Sequence, residues 1–476
     1  MAEICVIGAG PAGSTFAARM LQMGHQVCIV ERSRFPRRHI GESLSPGVLP
    51  LLDVIGAREA MEAAVFRRVR KVMVHWDAGT QVREDPREEG LVMDRGVFDR
   101  ILLDHARSLG ARVLQPATAR ERRCVHGRWT VEIESENGAI PLAADFLTEA
   151  GGRCCPAPHR RRTGPRTLAL YGYWRGVYLP NQPRIEAGDH TWYWSVPLPD
   201  GTCNTLVFVD PVHLRNVEGE DLTARYLELL RHSSLMPDCR SLHLDGPVQA
   251  IDATPYLDEE SVTASSIRIG EAALAIDPLS SSGVQKAIQS ALAGAVVANT
   301  LLRQPESSEI AQRFHRANLT DASQRHSRWA ASLYASVAAQ RKGAFWSDRA
   351  SRPESQNAPL PSPDVAASAI TSRVALSREV AFVEMPCIEG DLIQTRLALK
   401  HPNLERPLAY LGGREVAPLL RRVPSGLTPV QLAEYWSDQV PLQTGIAIAG
   451  WLVKHGLLVK LPAGRLPFSI VCEAAR

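Results

Sequence analysis

A glycine turn near the start of the chain sets the first constraint on what it can fold into. Ile4-Cys-Val-Ile7 is a short apolar, β-prone run of the kind buried in a parallel sheet. It breaks into Gly8-Ala-Gly10-Pro11-Ala12-Gly13-Ser14, and a helical pattern from Thr15 to Met23 follows, with Phe16, Ala17, Met20 and Leu21 apolar. Gly24 stops that helix, His25-Gln-Val-Cys-Ile-Val30 reads as a second strand, and Glu31-Arg32 ends it. Strand, glycine turn, helix, strand and acid stand in the order a dinucleotide site requires. Gly8 permits the tight turn, Gly10 lets a pyrophosphate approach the backbone, and Gly13 lets the helix pack close to the strands. The helix N-terminus offers free N–H donors and a positive dipole end to phosphates. Glu31, eighteen residues after Gly13, is suited to accept hydrogen bonds from ribose hydroxyls. A structural glycine turn alone would not explain the flanking order.

Charge and composition narrow the partners. The 54 basic and 51 acidic residues leave a formal charge of +3 over 476 residues, which gives no support to a nucleic-acid partner held by bulk electrostatics. No apolar run reaches the ~18 residues of a membrane-spanning helix; residues 445–453 come nearest, so no membrane span is expected. Nine scattered cysteines without a Cys-x-x-Cys write neither a disulfide framework nor a metal site. The opening Glu3-Ile-Cys-Val-Ile7 lacks the basic region and long apolar core of a secretory signal, so a cytoplasmic address is expected.

Further segments carry a family resemblance. Pro11-Ala12 within the glycine turn is the habit of flavin monooxygenases, and points to FAD rather than NAD. Arg37-Arg38-His-Ile-Gly41-Glu42-Ser43, followed by Pro46-Gly-Val-Leu-Pro50, resembles the loop after the second strand in flavin-dependent halogenases, their monooxygenase relatives and geranylgeranyl-reductase-like proteins. Val92-Met-Asp-Arg95-Gly-Val-Phe98-Asp99 is similar to the helix start that follows there, whose arginine lies close to the flavin. Leu147-Thr-Glu149-Ala-Gly-Gly-Arg153 looks like the family's Asp-Ala-x-Gly-Arg turn with glutamate for aspartate. Arg268-Ile-Gly270-Glu271 through Asp277-Pro278 to Gly283-Val284 resembles the second flavin motif, again with glutamate for aspartate. The resemblance covers about residues 1 to 340. It implies an α/β, Rossmann-type FAD-binding domain of the glutathione-reductase-like monooxygenase kind, with an inserted β-sheet substrate domain. FAD would be held by Gly8, Gly10, Pro11, Ala12, Gly13, Ser14, Glu31, Arg32, Arg38, Gly41, Glu42, Ser43, Arg95, Glu271, Asp277, Gly283 and Val284. Only one dinucleotide fingerprint is present, so NAD(P)H either visits the flavin directly or acts through a separate reductase.

Within that family the chemistry divides. His190-Thr-Trp192-Tyr-Trp194-Ser-Val-Pro197 resembles the Trp-x-Trp-x-Ile-Pro signature of flavin halogenases. Alternation puts Trp192 and Trp194 on one strand face, where they either wall a reaction cavity or form core; the sequence leaves both open. Trp192, Trp194, Pro197, Ser281 and Ser282 are the expected substrate-pocket residues. Halogenases also use a lysine. Lys71 lies near that position but out of step with it, and reads more readily as a strand-start lysine reaching solvent than as a catalytic one. The glutamate of tryptophan halogenases is missing: the chain has Asp277-Pro-Leu-Ser280-Ser281-Ser282-Gly283, with Ser280 in its place. Hydroxylation needs less machinery, namely a flavin C4a-hydroperoxide beside an electron-rich ring in a dry site.

The domain reading assigns 1–75, 92–165 and 250–345 to the FAD-binding domain, and 76–91 and 166–249 to a substrate-facing sheet. A breaker-rich linker or mobile loop spans 346–374, with Pro353, Pro359, Pro361 and Pro363. Residues 375–476 form a small helical, winged-helix-like module, with helices over 415–422, from the Thr428-Pro429 cap, and over 441–455, then a strand over 456–460. A halogenase-like body without the glutamate, plus a terminal module, resembles the flavoprotein monooxygenases of tryptophylquinone cofactor biogenesis. The resemblance implies hydroxylation of a peptidyl tryptophan in a small subunit of quinohaemoprotein amine dehydrogenase, alongside that subunit's maturation enzymes. The competing expectations are a small-molecule aromatic hydroxylase or halogenase of secondary metabolism, and a flavin-binding assembly factor without turnover.

Overall fold

The computed structural model describes residues 3–77, 79–84, 89–176, 181–214, 222–234, 242–350, 372–421 and 423–461. Two compact units divide the chain: residues 1–354 with 390–392, and residues 355–389 with 393–476.

The first unit is built on a five-stranded parallel sheet. Its order is Ser266–Arg268, Phe146–Glu149, β1 (Glu3–Ile7), β2 (Gln26–Val30) and Arg112–Leu114. Cys5 and Val6 in β1 and Ile29 in β2 are fully buried, as the continuous apolar runs demand of a sheet covered on both faces. Helix α1 (Pro11–Gln22) buries Phe16, Ala17 and Met20 and packs against the helices Arg95–Ser108 and Gly283–Arg303. An antiparallel ribbon, Ala117–Val125, Arg128–Ser135 and Gly138–Ala144, is inserted before the fourth strand of the sheet in chain order.

A second, mixed sheet runs through Leu242–Leu244, Leu168–Gly176, Cys203–Val209, Thr191–Pro197, Arg184–Ala187, Lys71–His75 and Thr80–Glu84, with Gln249–Asp252 also on Leu168–Gly176. The expected boundary at 75/76 therefore falls too late, because Lys71–His75 already pairs within this sheet. One face carries an aromatic core. Trp192 stacks on Phe208 at 3.7 Å and 7°, and Trp76 meets Trp192 and Trp346 edge-on at 6.4 and 5.5 Å.

The expected linker began at residue 346, but Ala344–Ala350 is a helix that drives Phe345 and Trp346 into that core. Its Arg349 is buried, donates to Thr167 Oγ1 (2.8 Å) and pairs with Asp210. The prolines and polar residues that follow suggested a linker, but Phe345 and Trp346 are almost fully buried. The rest of that expected linker, 351–371, lies outside the described residues.

In the second unit the helices Val416–Leu420, Pro429–Tyr435 and Leu442–Lys454 lie close to their expected positions. Thr428 and Gln431 close a capping box at Pro429, satisfying two otherwise orphaned donors. Trp436, Leu432, Ile448 and Leu452 fill this unit's core. The sequence reading missed the strand pair Ala381–Glu389 and Leu392–Lys400, because Pro386 and the Glu384 and Glu389 charges break its apolar pattern.

Replacing Trp346 with Ala should cost about 3–5 kcal/mol, the usual loss for a large buried aromatic. A fall in the denaturation midpoint followed by circular dichroism is expected, and an unchanged midpoint would contradict this packing.

Candidate functional site

The glycine turn between β1 and α1 is tight inside and open outside. A Cβ on Gly13 would lie 1.9 Å from the Gly8 carbonyl oxygen, and one on Gly8 (φ +102°) would lie 2.6 Å from the Ala150 oxygen. A Cβ on Gly10 meets nothing within 4 Å. Gly10 is also the N-cap of α1 and offers its first-turn N–H groups no side-chain partner, with Pro11 opening the helix. At the end of β2 the buried Glu31 accepts from Ala9 N–H (2.8 Å) and Ser33 N–H (2.9 Å), so its carboxylate braces the turn. Buried Ser14 donates to the Ala9 carbonyl (2.9 Å). Arg32 is exposed beside Cys154 Sγ (3.5 Å).

The second motif closes on the first. Gly270 (φ +60°) comes so near Ala12 that an added Cβ would sit 2.7 Å from the Ala12 Cβ, and its N–H donates to Ser290 Oγ (2.8 Å). Glu271 lies 3.5 Å from Arg153. Burial pushes its carboxyl up, but the Arg153 and Lys286 charges prevail and hold it below the usual range. Asp277 caps its own turn by accepting from Leu279 N–H (2.9 Å), and accepts from Tyr334 Oη (3.1 Å). Burial raises its pKa. The helix Gly283–Arg303 then starts with no side-chain cap. Its first turn meets the 41–47 loop: a Cβ on Gly41 would face Arg95 Nη1 at 2.7 Å and Val284 Cγ2 at 3.9 Å, and Ser45 Oγ donates to Gln285 Oε1 (2.5 Å). Ser43 pairs with Val92 in a small sheet. Arg95 is fixed by Asp99 (3.0 Å) and the Ile40 carbonyl (3.0 Å). Residues from four distant segments thus share one wall, and it presents two uncapped helix N-termini, a natural seat for anionic groups.

Some expected residues face elsewhere. Arg38 pairs with Asp245 (2.7 Å), donates to its carbonyl and lies over the Tyr173 ring, which ties the loop to the sheet instead of leaving a cation for a ligand. Glu42 is buried and turned to the sheet, accepting from Tyr173 Oη and Asn204 Nδ2 (both 2.8 Å) and from Gly41 N–H (2.8 Å). Burial raises its pKa against those donors. Lys71 is more than half exposed and paired with Glu84 (3.3 Å), which corrects its candidacy as a catalytic lysine.

Trp192 is packed core at 2% exposure, so the cavity-wall expectation fails for it. Trp194 is half-buried on the same face, where it packs against both Trp192's cluster and the Val92–Tyr173–Val196 cluster, and Pro197 is buried at the strand end. Ser281 is an exposed non-glycine residue at φ +48°, and Ser282 Oγ donates to the Ser280 carbonyl (2.8 Å). Sequence reasoning missed Trp76, Tyr334 and Lys286. Tyr334 had no visible signal beyond its helix face, whereas Lys286 stood inside the second motif, where a lysine four residues into a helix is electrostatically misplaced.

Comparison with known proteins agrees with this arrangement. Residues 1–158 match a family model described as FAD binding domain. The tryptophan 2-halogenase of Chondromyces crocatus is 30% identical over 373 residues, 72% of this chain and 70% of that protein. The chain belongs to the FAD-binding flavin monooxygenase and halogenase family. Flavin-dependent halogenase armH4 of Armillaria mellea is 28% identical, over 66% of this chain and 68% of its own length.

Two solved structures of the family are similar over nearly their whole length. Peptidyl tryptophan dihydroxylase QhpG, essential for tryptophylquinone cofactor biogenesis, is 28% identical with a TM-score of 0.73 and covers 95% of this chain and 99% of its own. The flavin-dependent halogenase CmlS is 21% identical with a TM-score of 0.77, covering 97% and 96%; at that identity it speaks for the fold alone. As a family member the protein is a flavin-dependent oxidoreductase whose cofactor is FAD. Among the described residues no helix is long and apolar enough to cross a membrane.

The open space at Gly10 and the crowding at Gly13 separate binding from folding. Gly10→Val should fold with an unchanged circular-dichroism spectrum and yet purify colourless, because its branched side chain occupies the space left for a pyrophosphate. Gly13→Val should fail to fold stably, with its Cβ forced against the Gly8 carbonyl. A yellow Gly10→Val protein with bound FAD would refute the assignment.

Proposed function

We propose that this protein is an FAD-dependent monooxygenase that hydroxylates a peptidyl tryptophan during maturation of a tryptophylquinone-containing amine dehydrogenase subunit. The observation that carries the reading is the likeness to QhpG, 28% identical overall in an alignment that covers 95% of this chain and so extends into both units. The halogenases matched in sequence align over only about seven-tenths of the chain, whereas the halogenase CmlS shares the fold across 97% of it but at 21% identity. Ser280 in place of a glutamate and the solvent-facing Lys71 also count against halogenation, since neither can hold or orient an activated halogen.

When bound, FAD supplies the oxygen-activating chemistry. In this reading the chain's own residues bind and shield. The first turn of α1 and Gly10 take the diphosphate, and Glu31 takes the ribose. The 270–284 turn and the start of the helix Gly283–Arg303 take the isoalloxazine end, with Arg95 and Gly41 across from Val284. The aromatic core around Trp76, Trp192 and Tyr334 packs Leu279 and so backs the second motif with a dry wall. No positioned base is required, because an indole is itself nucleophilic. The substrate is a protein, reductant arrives as NAD(P)H or from a separate reductase, and the reaction takes place in the cytoplasm before export of the subunit.

The 30% identity with a tryptophan 2-halogenase favours one other reading, halogenation of an aromatic ring. One assay distinguishes them. FAD-loaded protein is incubated with a reductant, air, bromide and the cross-linked small subunit, and the subunit is weighed by mass spectrometry. A gain of one or two oxygen atoms, independent of bromide, is expected. Bromide incorporation would support the halogenase reading, and no mass change with turnover of free tryptophan or indole would refute a protein substrate.

A further inference from the structure

Lys286 is a charge in an expensive place. It lies in the first turn of the helix Gly283–Arg303 and is only 4% exposed. Lysine is almost never fully buried without a partner, and an ammonium beside a helix N-terminus opposes the dipole there. Among the described residues no carboxylate forms an ion pair with it. Its Nζ donates to the Gly270 carbonyl (3.1 Å) and to the Leu274 carbonyl, so it ties down both ends of the turn that carries Glu271. An apolar side chain with a water would satisfy those carbonyls without burying a cation.

The charged groups around it are few and identifiable. Glu271 holds the ammonium charged, Arg153 opposes it, and His326 on the helix Ser308–Ala338 feels it from the other side, with Arg325 beyond. Burial is the largest influence and draws the Lys286 ammonium down to about 8. Glu271 is already ion-paired with Arg153, so Lys286 is surplus to neutralising it.

We propose that Lys286 is a positioning residue for the redox chemistry of FAD: its buried ammonium, fixed on the Gly270 and Leu274 carbonyls, stabilises the anionic reduced cofactor over the neutral oxidised one. The inference rests on the reading that the 270–284 turn takes the isoalloxazine end. Reduction to the anion consumes two electrons from the donor and one proton from solvent. A negative charge placed near Lys286 raises its affinity for a proton. Where Lys286 is partly neutral in the oxidised protein, that is above a pH of about 8, reduction therefore takes up a second proton.

The test is the midpoint potential of the FAD-loaded protein against pH, with dithionite as reductant and a reference dye. Wild type is expected to double its slope above about pH 8. Lys286→Met is expected to bind oxidised FAD as wild type does, lose the steeper limb and fall by ~30 mV at neutral pH, a tenfold loss of preference for reduced FAD. Lys286→Arg should keep the neutral-pH potential and lose the steeper limb. A Lys286→Met protein with full FAD and an unchanged potential and slope overturns the inference and leaves Lys286 as a strut for the turn. If that variant does not retain FAD, Lys286→Gln, whose uncharged amide can still donate to the turn's carbonyls, is read in its place, and an unchanged potential overturns the inference. Failure of the site reading itself shows separately, as yellow Gly10→Val protein.

Discussion

Two backbone approaches that admit no side chain hold the site together. The Cα of Gly13 lies so close to the Gly8 carbonyl that a Cβ would reach within 1.9 Å of its oxygen, and a Cβ on Gly270 would sit 2.7 Å from that of Ala12. The first contact bends the chain from β1 into α1; the second brings residue 270 against residue 12. Both are steric conditions on the turns that precede α1 and the helix Gly283–Arg303, each of which starts without a side-chain cap. The rest of the first unit reads as the scaffold needed to hold those approaches: a parallel sheet beneath, α1 against the helix Gly283–Arg303, and the mixed sheet beyond.

Electrostatics follows from that geometry. Closing the two turns buries Glu42 and Lys286 and partly buries Asp277. Each acquires partners at a cost in solvation. The two carboxyls are pushed up and the lysine down, as desolvation requires. Glu42 accepts from Tyr173 and Asn204 of the second sheet and Asp277 from Tyr334, so the loop at 41–47 and the 270–284 turn are each hydrogen-bonded to elements distant in sequence. Arg38 with Asp245 makes a further tie of the same kind.

The N-terminal fold was legible because local chemistry dictated it. The apolar runs at 4–7 and 25–30, the three glycines and Glu31 each have a role that no other residue type fills, and the parallel pairing of β1 with β2 follows. The C-terminal cap at Thr428-Pro429 was legible for the same reason. What escaped depended on contacts distant in sequence. Trp346 reads as the start of a linker until the sheet packs on it, and Trp192 reads equally as cavity wall or core until Phe208 is stacked at 3.7 Å. Arg38 and Glu42 sit inside a family motif, but their partners Asp245, Tyr173 and Asn204 come from the other sheet. No local pattern announces such a pairing.

A single cofactor that joins segments separated by most of the first unit should be visible in hydrogen–deuterium exchange measured with and without FAD. Added protection is expected over residues 8–15, 38–45 and 268–287 together, with little change in the strands Ala117–Val125 and Arg128–Ser135. Protection confined to residues 8–15, with 268–287 exchanging at the same rate in both states, would contradict that expectation.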